Sequence, residues 1–140
     1  MTTIAYHINS KEIAYDGRTA RGETIMCDSS EKMVQRNGVT FFLCGATCDY
    51  DLLICMYFGE KSEIVPEANA FTIDGGIVYR VGCTADGNFW KAVVEYNDSI
   101  GSGSEWALAA MDFGKSAKQA VKYAATRDSC TGGKIRVVKV

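Results

Sequence analysis

Asn37-Gly38 stands between two runs, KMVQR and VTFFLCG, each able to form a strand. Asn-Gly is the dipeptide best suited to two successive positive-φ positions, so this stretch predicts two adjacent strands joined by a two-residue hairpin. The flanking sequence extends the pattern. Thr3 to Ile8 is apolar-rich, Asn9-Ser10-Lys11 has turn chemistry, and Glu12 to Arg18 is extended again. Glu23 to Cys27 and Lys32 to Gln35 read as further short strands. After the hairpin come Phe71 to Ile73, Ile77 to Val81 and Phe89 to Glu95, separated by Asp74-Gly75-Gly76 and by Ala85-Asp86-Gly87-Asn88. Ile135 to Val140 closes the chain as a strand.

Three helices interrupt the strands. Asp49-Tyr50-Asp51 leads into LLICMYF, with acids suited to a helix N-terminus and Gly59 to end it. A second helix runs from Glu105 to Phe113 and stops at Gly114. Ser116 caps a third, in which Ala117, Ala120, Val121, Ala124 and Ala125 recur on one face. Small residues on such a stripe let a helix lie close against a sheet. The order is strands, helix, strands, two helices, strand. It predicts an α+β chain, most simply two antiparallel sheets packed face to face with helices outside.

With 140 residues, 47% of them hydrophobic and only one proline, the chain suits a single domain spanning residues 1–140. Net charge is −2 and the basic residues are scattered, which argues against a nucleic-acid or anionic-membrane partner. No apolar run approaches a membrane span, and the N-terminus lacks the pattern of a signal peptide. Of the six cysteines none forms a CxxC pair, and His7 is the single histidine. Buried free thiols in a reducing, cytoplasmic setting are therefore expected, with no metal site and no cofactor.

Several polar residues fall at strand ends and sharp turns, where apolar packing does not account for them. Asp16 lies in YDGR, Lys32 in SSEKM, Ser102 in IGSGS, and Asp128 with Thr131 in RDSCTGG. Taken singly, each has an ordinary reading as a turn, a solvated charge or a flexible loop. Taken in order, from TTIAY at the N-terminus onward, they resemble the β-type subunits of proteasomes and especially the bacterial HslV-type peptidase. In that family the mature protein starts with threonine, matched by Thr2. Asp16 matches the aspartate ending the second strand, and Lys32 follows at the family's interval of sixteen residues. Gly45 matches the glycine before the first helix, and Gly101 to Ser104 match the family's GSGS. RDSCTGG matches RDxxSGG, with Thr131 in place of the usual serine.

The resemblance implies a four-layer αββα sandwich of the N-terminal nucleophile hydrolase type and a threonine peptidase. The Thr2 hydroxyl would attack a peptide carbonyl once Met1 is removed, with the free α-amine as base. Lys32, held charged by Asp16, would disfavour protonation of that amine. Ser102, Asp128 and Thr131 would support the amine, and the Gly45 N–H would stabilise the oxyanion. Peptide or unfolded protein is the implied substrate, and homo-oligomeric rings served by an ATPase are the implied assembly. The chain departs from the pattern between Phe58 and Phe71, where the family has a second long helix and this chain has Pro66-Glu67. One outer helix is therefore expected to be missing, so that the apolar surface of LLICMYF is either left exposed, favouring self-association, or covered by loops or a shifted strand. Two other readings stay open: an amidase acting on a small amide, and a non-catalytic structural subunit.

Overall fold

The Asn37-Gly38 pair does turn the chain. Both residues have positive φ, 51° and 78°, and Arg36 faces Val39 across the two-residue loop. The computed structural model describes residues 1–140. Its first strands are β1 (Thr3–His7), β2 (Glu12–Tyr15), β3 (Thr19–Arg21), β4 (Thr24–Cys27), β5 (Met33–Arg36) and β6 (Val39–Gly45). A 3-10 turn at Thr47–Asp49 enters helix α1 (Tyr50–Tyr57). Then follow β7 (Ala68–Asp74), β8 (Ile77–Cys83), β9 (Phe89–Val93) and β10 (Asp98–Gly101), helices α2 (Ser104–Asp112) and α3 (Ala117–Ala124), and β11 (Arg136–Lys139). The chain divides into two compact units. One comprises Met1–Lys32 with Glu95–Val140, the other Met33–Val94.

The first unit carries an antiparallel sheet in the order β10-β1-β2-β11. Alternation along the strands sends Ala5 and Ala14 to one face, where α2 and α3 cover them with Ala107, Ala110, Met111, Ala117, Ala120, Val121 and Ala124. The small side chains are what permit this closeness, and a larger one on the stripe would cost about 1–3 kcal/mol in overpacking. Ala125 does not extend the stripe: α3 ends before it, and it is only half-buried. Ser116 starts α3 with a capping box, accepting from the Gln119 N–H while the Gln119 side chain accepts from the Ser116 N–H. Ile4, Tyr6, Ile13, Tyr15 and Ile100 are buried on the opposite face of the sheet.

Two strands of this unit depart from expectation. The stretch Glu12 to Arg18 breaks after Tyr15, and its continuation pairs with β4 as a separate two-stranded hairpin. β10 was hidden by the turn-forming look of Asn97-Asp98-Ser99. Pairing with β1 overrides that local preference, and Ser99 Oγ donates to the Ile4 carbonyl at 2.8 Å.

The second unit is a five-stranded antiparallel meander, β5-β6-β7-β8-β9. β7 starts three residues before Phe71, since β6 pairs with it from Thr40↔Ile73 to Gly45↔Ala68. α1 buries Leu53 and Ile54 against Val39, Phe41, Leu43, Ala68, Ala70 and Val81. Asp49 occupies the position before α1, but its Oδ2 accepts the Glu67 N–H at 2.8 Å instead of capping the helix. This bond and Ala46 N–H to the Glu67 carbonyl (2.8 Å) tie down the segment between α1 and β7, which contains no helix. The unit therefore has one helix, as the shortened stretch predicted.

The apolar surface expected on LLICMYF is bare only at its last residue, Phe58; the rest of that run is buried or half-buried. Ile64 before β7, Ile77 on β8 and Val93 on β9 are further exposed apolar positions of this unit. The cysteines are free thiols, but only Cys44 is buried, and Cys27 and Cys48 are exposed, contrary to expectation. Cys27 ends the solvent-facing β4, whose sequence looks apolar, and Cys48 lies in the 3-10 turn before α1. No helix is long and apolar enough to cross a membrane.

Candidate functional site

Antiparallel pairing gathers residues that are far apart in sequence. The beginning of β1 lies beside the end of β10, through Thr3↔Gly101, and beside the end of β2, through Ile4↔Tyr15. The turn before β11 lies beside the end of β2, where the Gly17 N–H donates to the Gly132 carbonyl at 3.1 Å. One end of one sheet thus receives Thr2, Asp16 and Ser102, each directly beyond a strand terminus, and Asp128 and Thr131 from the loop between α3 and β11. Lys32 joins them from the segment preceding β5.

Asp16 is fully buried and organises half of this group. Its Oδ1 accepts from the Thr3 N–H (3.0 Å) and from Lys32 Nζ (2.8 Å). Its Oδ2 accepts from the Gly132 N–H (3.0 Å) and the Arg18 N–H (3.3 Å). Lys32 is 5% exposed, so the ion pair is screened from water on both sides. A buried carboxylate without such partners would be strongly unfavourable, and these donors offset that cost. Lys32 Nζ also donates to the Met1 carbonyl at 3.4 Å. The ammonium therefore lies against the peptide bond that precedes Thr2, which is itself buried.

Asp128 organises the other half. Its Oδ2 accepts from Ser102 Oγ at 2.5 Å and Thr131 Oγ1 at 2.6 Å, and its Oδ1 accepts from the Cys130 N–H at 3.1 Å. Burial alone would raise this carboxyl. The Ser102 and Thr131 hydroxyls, the Cys130 N–H and the nearby N-terminal ammonium outweigh burial and hold it below the usual aspartate value. Ser102 Oγ is also 3.5 Å from the Thr2 carbonyl oxygen. The methyl that Thr131 adds relative to serine is accommodated, with the residue fully buried and its hydroxyl bonded.

Gly45 belongs to the second unit, at the end of β6. Its φ of 106° and the Glu67 carbonyl, 2.3 Å from where a Cβ would stand, both require glycine there.

Thr3 and Arg18 escaped the sequence reading, and the glycines of GSGS, singled out there only as a motif, prove to have a steric role. Thr3 contributes both its N–H, to Asp16, and its hydroxyl, 2.6 Å from Thr131 Oγ1. Gly101 has φ 99°, and a Cβ on it would stand 1.8 Å from the Thr2 carbonyl oxygen. A Cβ on Gly103 would stand 2.1 Å from Thr3 Oγ1. Both glycines of GSGS thus make room for the first two residues of β1's approach. Arg18 clamps Asp28 with Nε (2.8 Å) and Nη2 (3.2 Å) while Nη1 donates to the Ser129 carbonyl (3.0 Å). It thereby ties the segment leading to Lys32 to the turn bearing Asp128. The repeated glycines of GSGS and TGG and the arginine in YDGR were the available signals.

No protein-family model matches the sequence, and no curated protein matches it. Solved structures do. BPH from Thiobacillus denitrificans in complex with epoxomicin is similar with a TM-score of 0.72 at 16% identity, covering 98% of this chain and 97% of that one. A second structure of the same BPH gives 0.71 at 14% identity, over 99% and 96%. Eukaryotic HslV from Trypanosoma brucei gives 0.71 at 18% identity, over 99% of this chain and 100% of that one. Likeness at this level over nearly the whole chain identifies the fold. It is the α+β fold of the HslV and proteasome β-subunit type, the fold class expected from the sequence.

Proposed function

We propose that this chain is a peptidase of the N-terminal-threonine type, active once Met1 has been removed. The observation that carries the reading is the buried Asp16–Lys32 pair, whose ammonium lies against the carbonyl immediately before Thr2. With Met1 in place the nitrogen of Thr2 is an amide and cannot act as a base. After its removal the same nitrogen becomes an amine with an ordinary pKa of roughly 8. The Lys32 charge beside it disfavours the ammonium form and leaves more of the amine neutral.

In the proposed cycle the amine takes the proton from Thr2 Oγ as that oxygen attacks a peptide carbonyl. The oxyanion donor is assigned to the Gly45 N–H on the resemblance alone, a kind of contact whose loss costs about 3–4 kcal/mol in related chemistry. Collapse leaves an ester on Thr2 and releases the C-terminal product, whose amine receives the proton. Water, deprotonated by the same Thr2 amine, then hydrolyses the ester. Ser102, Asp128 and Thr131 position the amine, and Asp16 keeps Lys32 charged and oriented. The substrate class is peptide or unfolded protein. The bare apolar positions Ile77 and Val93 support assembly with further copies of this chain.

A threonine-directed β-lactone tests the reading by intact-mass analysis. The expected result is a chain lacking Met1 that gains one adduct, on Thr2, with loss of both adduct and peptide hydrolysis in Thr2→Ala. Epoxomicin, held by the Thiobacillus BPH, serves as a second probe. A chain that retains Met1 in its native host and takes no adduct is a non-catalytic subunit, and that result sinks the peptidase reading.

A further inference from the structure

We infer that Thr3 is a positioning residue for the nucleophile, through a one-way hydroxyl relay from Thr3 to Thr131 to Asp128; this rests on the peptidase reading above.

The direction of the relay follows from counting hydrogens. The carboxylate of Asp128 only accepts, and Thr131 Oγ1 donates to its Oδ2 at 2.6 Å. A threonine hydroxyl has one hydrogen, so Thr131 Oγ1 must accept across its 2.6 Å contact with Thr3 Oγ1. The Thr3 hydroxyl is therefore the donor. Each hydroxyl in such a chain polarises the next, so the relay is stronger than two separate bonds. Both threonines are fully buried, where the bond cannot be exchanged for one to water.

Thr3 is held from a second side as well. Its N–H donates to Asp16 Oδ1, the oxygen that also binds Lys32. That N–H belongs to the peptide plane shared with Thr2, whose carbonyl oxygen is approached by Ser102 Oγ. Backbone and side chain of one residue thus join the Asp16–Lys32 pair to the Asp128 cluster, with both ties directly after the nucleophile. Gly103 accommodates this arrangement, because a Cβ there would stand 2.1 Å from Thr3 Oγ1 and 3.0 Å from Thr131 Oγ1. The threonine at 131 and the threonine at 3 form one interlocked unit, with the glycine leaving it room.

Thr3→Val and Thr3→Ser separate positioning from packing, since the two roles predict opposite orders. Valine keeps the β-branch and the volume but loses the donor; serine keeps the donor but loses a buried methyl. With β-lactone and a peptide substrate, Thr3→Val should lower the limiting acylation rate about 10- to 100-fold with little change in half-saturating concentration. Thr3→Ser should stay close to wild type. Each variant is assayed below its own melting temperature. In a Thr131→Val background the acceptor is gone, so adding Thr3→Val should cost no further rate. Valine faster than serine, or full additivity in the double variant, overturns the inference while leaving the peptidase reading intact. A wild-type chain that takes no adduct overturns both.

Discussion

Replacing Lys32 by methionine removes the ammonium and keeps most of the side-chain volume. The Nζ–Oδ1 separation is 2.8 Å with both side chains buried. At an effective dielectric constant near 20, such a pair has a gross attraction of about 6 kcal/mol. Desolvating the lysine offsets a large part of this, and breaking buried pairs generally costs about 3–5 kcal/mol. Asp16 keeps three donors, the N–H groups of Thr3, Arg18 and Gly132. These favour the lower end of that range, about 3 kcal/mol. For a chain of this length, that corresponds to a fall in melting temperature of about 10 °C. Acylation of Thr2 should fall at least ~100-fold, a larger relative loss than the change in folded fraction at 20 °C explains. Differential scanning calorimetry and the β-lactone rate, measured on one preparation, give both quantities. A melting shift below about 3 °C would show that the pair does not anchor this end of the sheet. An unchanged acylation rate in the folded variant would refute the electrostatic role of Lys32.

Gly101→Ala should abolish acylation, because its Cβ would stand 1.8 Å from the Thr2 carbonyl oxygen and must push the Thr2 backbone aside. Gly22→Ala, also at positive φ (59°) but facing open space, is the control. It should lose about 1 kcal/mol of stability and keep the wild-type acylation rate. Asp128 supplies a pH prediction. Its folded-state carboxyl is held below the unfolded value, so its stabilisation is complete above the unfolded pKa of about 4 and is lost as pH falls through the lower folded value. Denaturant midpoints of wild type and Asp128→Asn should differ most above about pH 4 and converge towards pH 2. A gap that stays constant across that range would contradict the assignment.

Elements set by local chemistry were legible in the sequence. The Asn37-Gly38 hairpin, the capped α3 with its alanine stripe and the absence of a helix before β7 all depend on residues near one another in the chain. β10 was not legible, because Asp98 and Ser99 look like turn formers until β1 supplies their partner. The break after Tyr15 was missed for the same kind of reason: the Asp16 side chain is committed to three donors from distant segments, Thr3, Lys32 and Gly132. Of the candidate site, the markers borrowed from the resemblance fall together at one sheet end, apart from Gly45 in the second unit. Thr3 went unnoticed since a threonine inside a strand has an adequate local explanation in β-propensity. Its second role needs knowledge of residue 131, which no local pattern provides.

The division of the chain has a consequence for how such a protein can be shortened. Thr2, Asp16, Lys32, Ser102, Asp128 and Thr131 all belong to the unit built from the two chain ends, Met1–Lys32 and Glu95–Val140. The helix-free stretch between Phe58 and Phe71 lies wholly inside the other unit, whose sheet is a simple meander. A change of length there leaves unaltered the register of every strand that carries the hydrogen-bonded network. Length change in the middle of the chain and the register of that network are thus separable in this architecture, provided that Glu67 still meets Gly45.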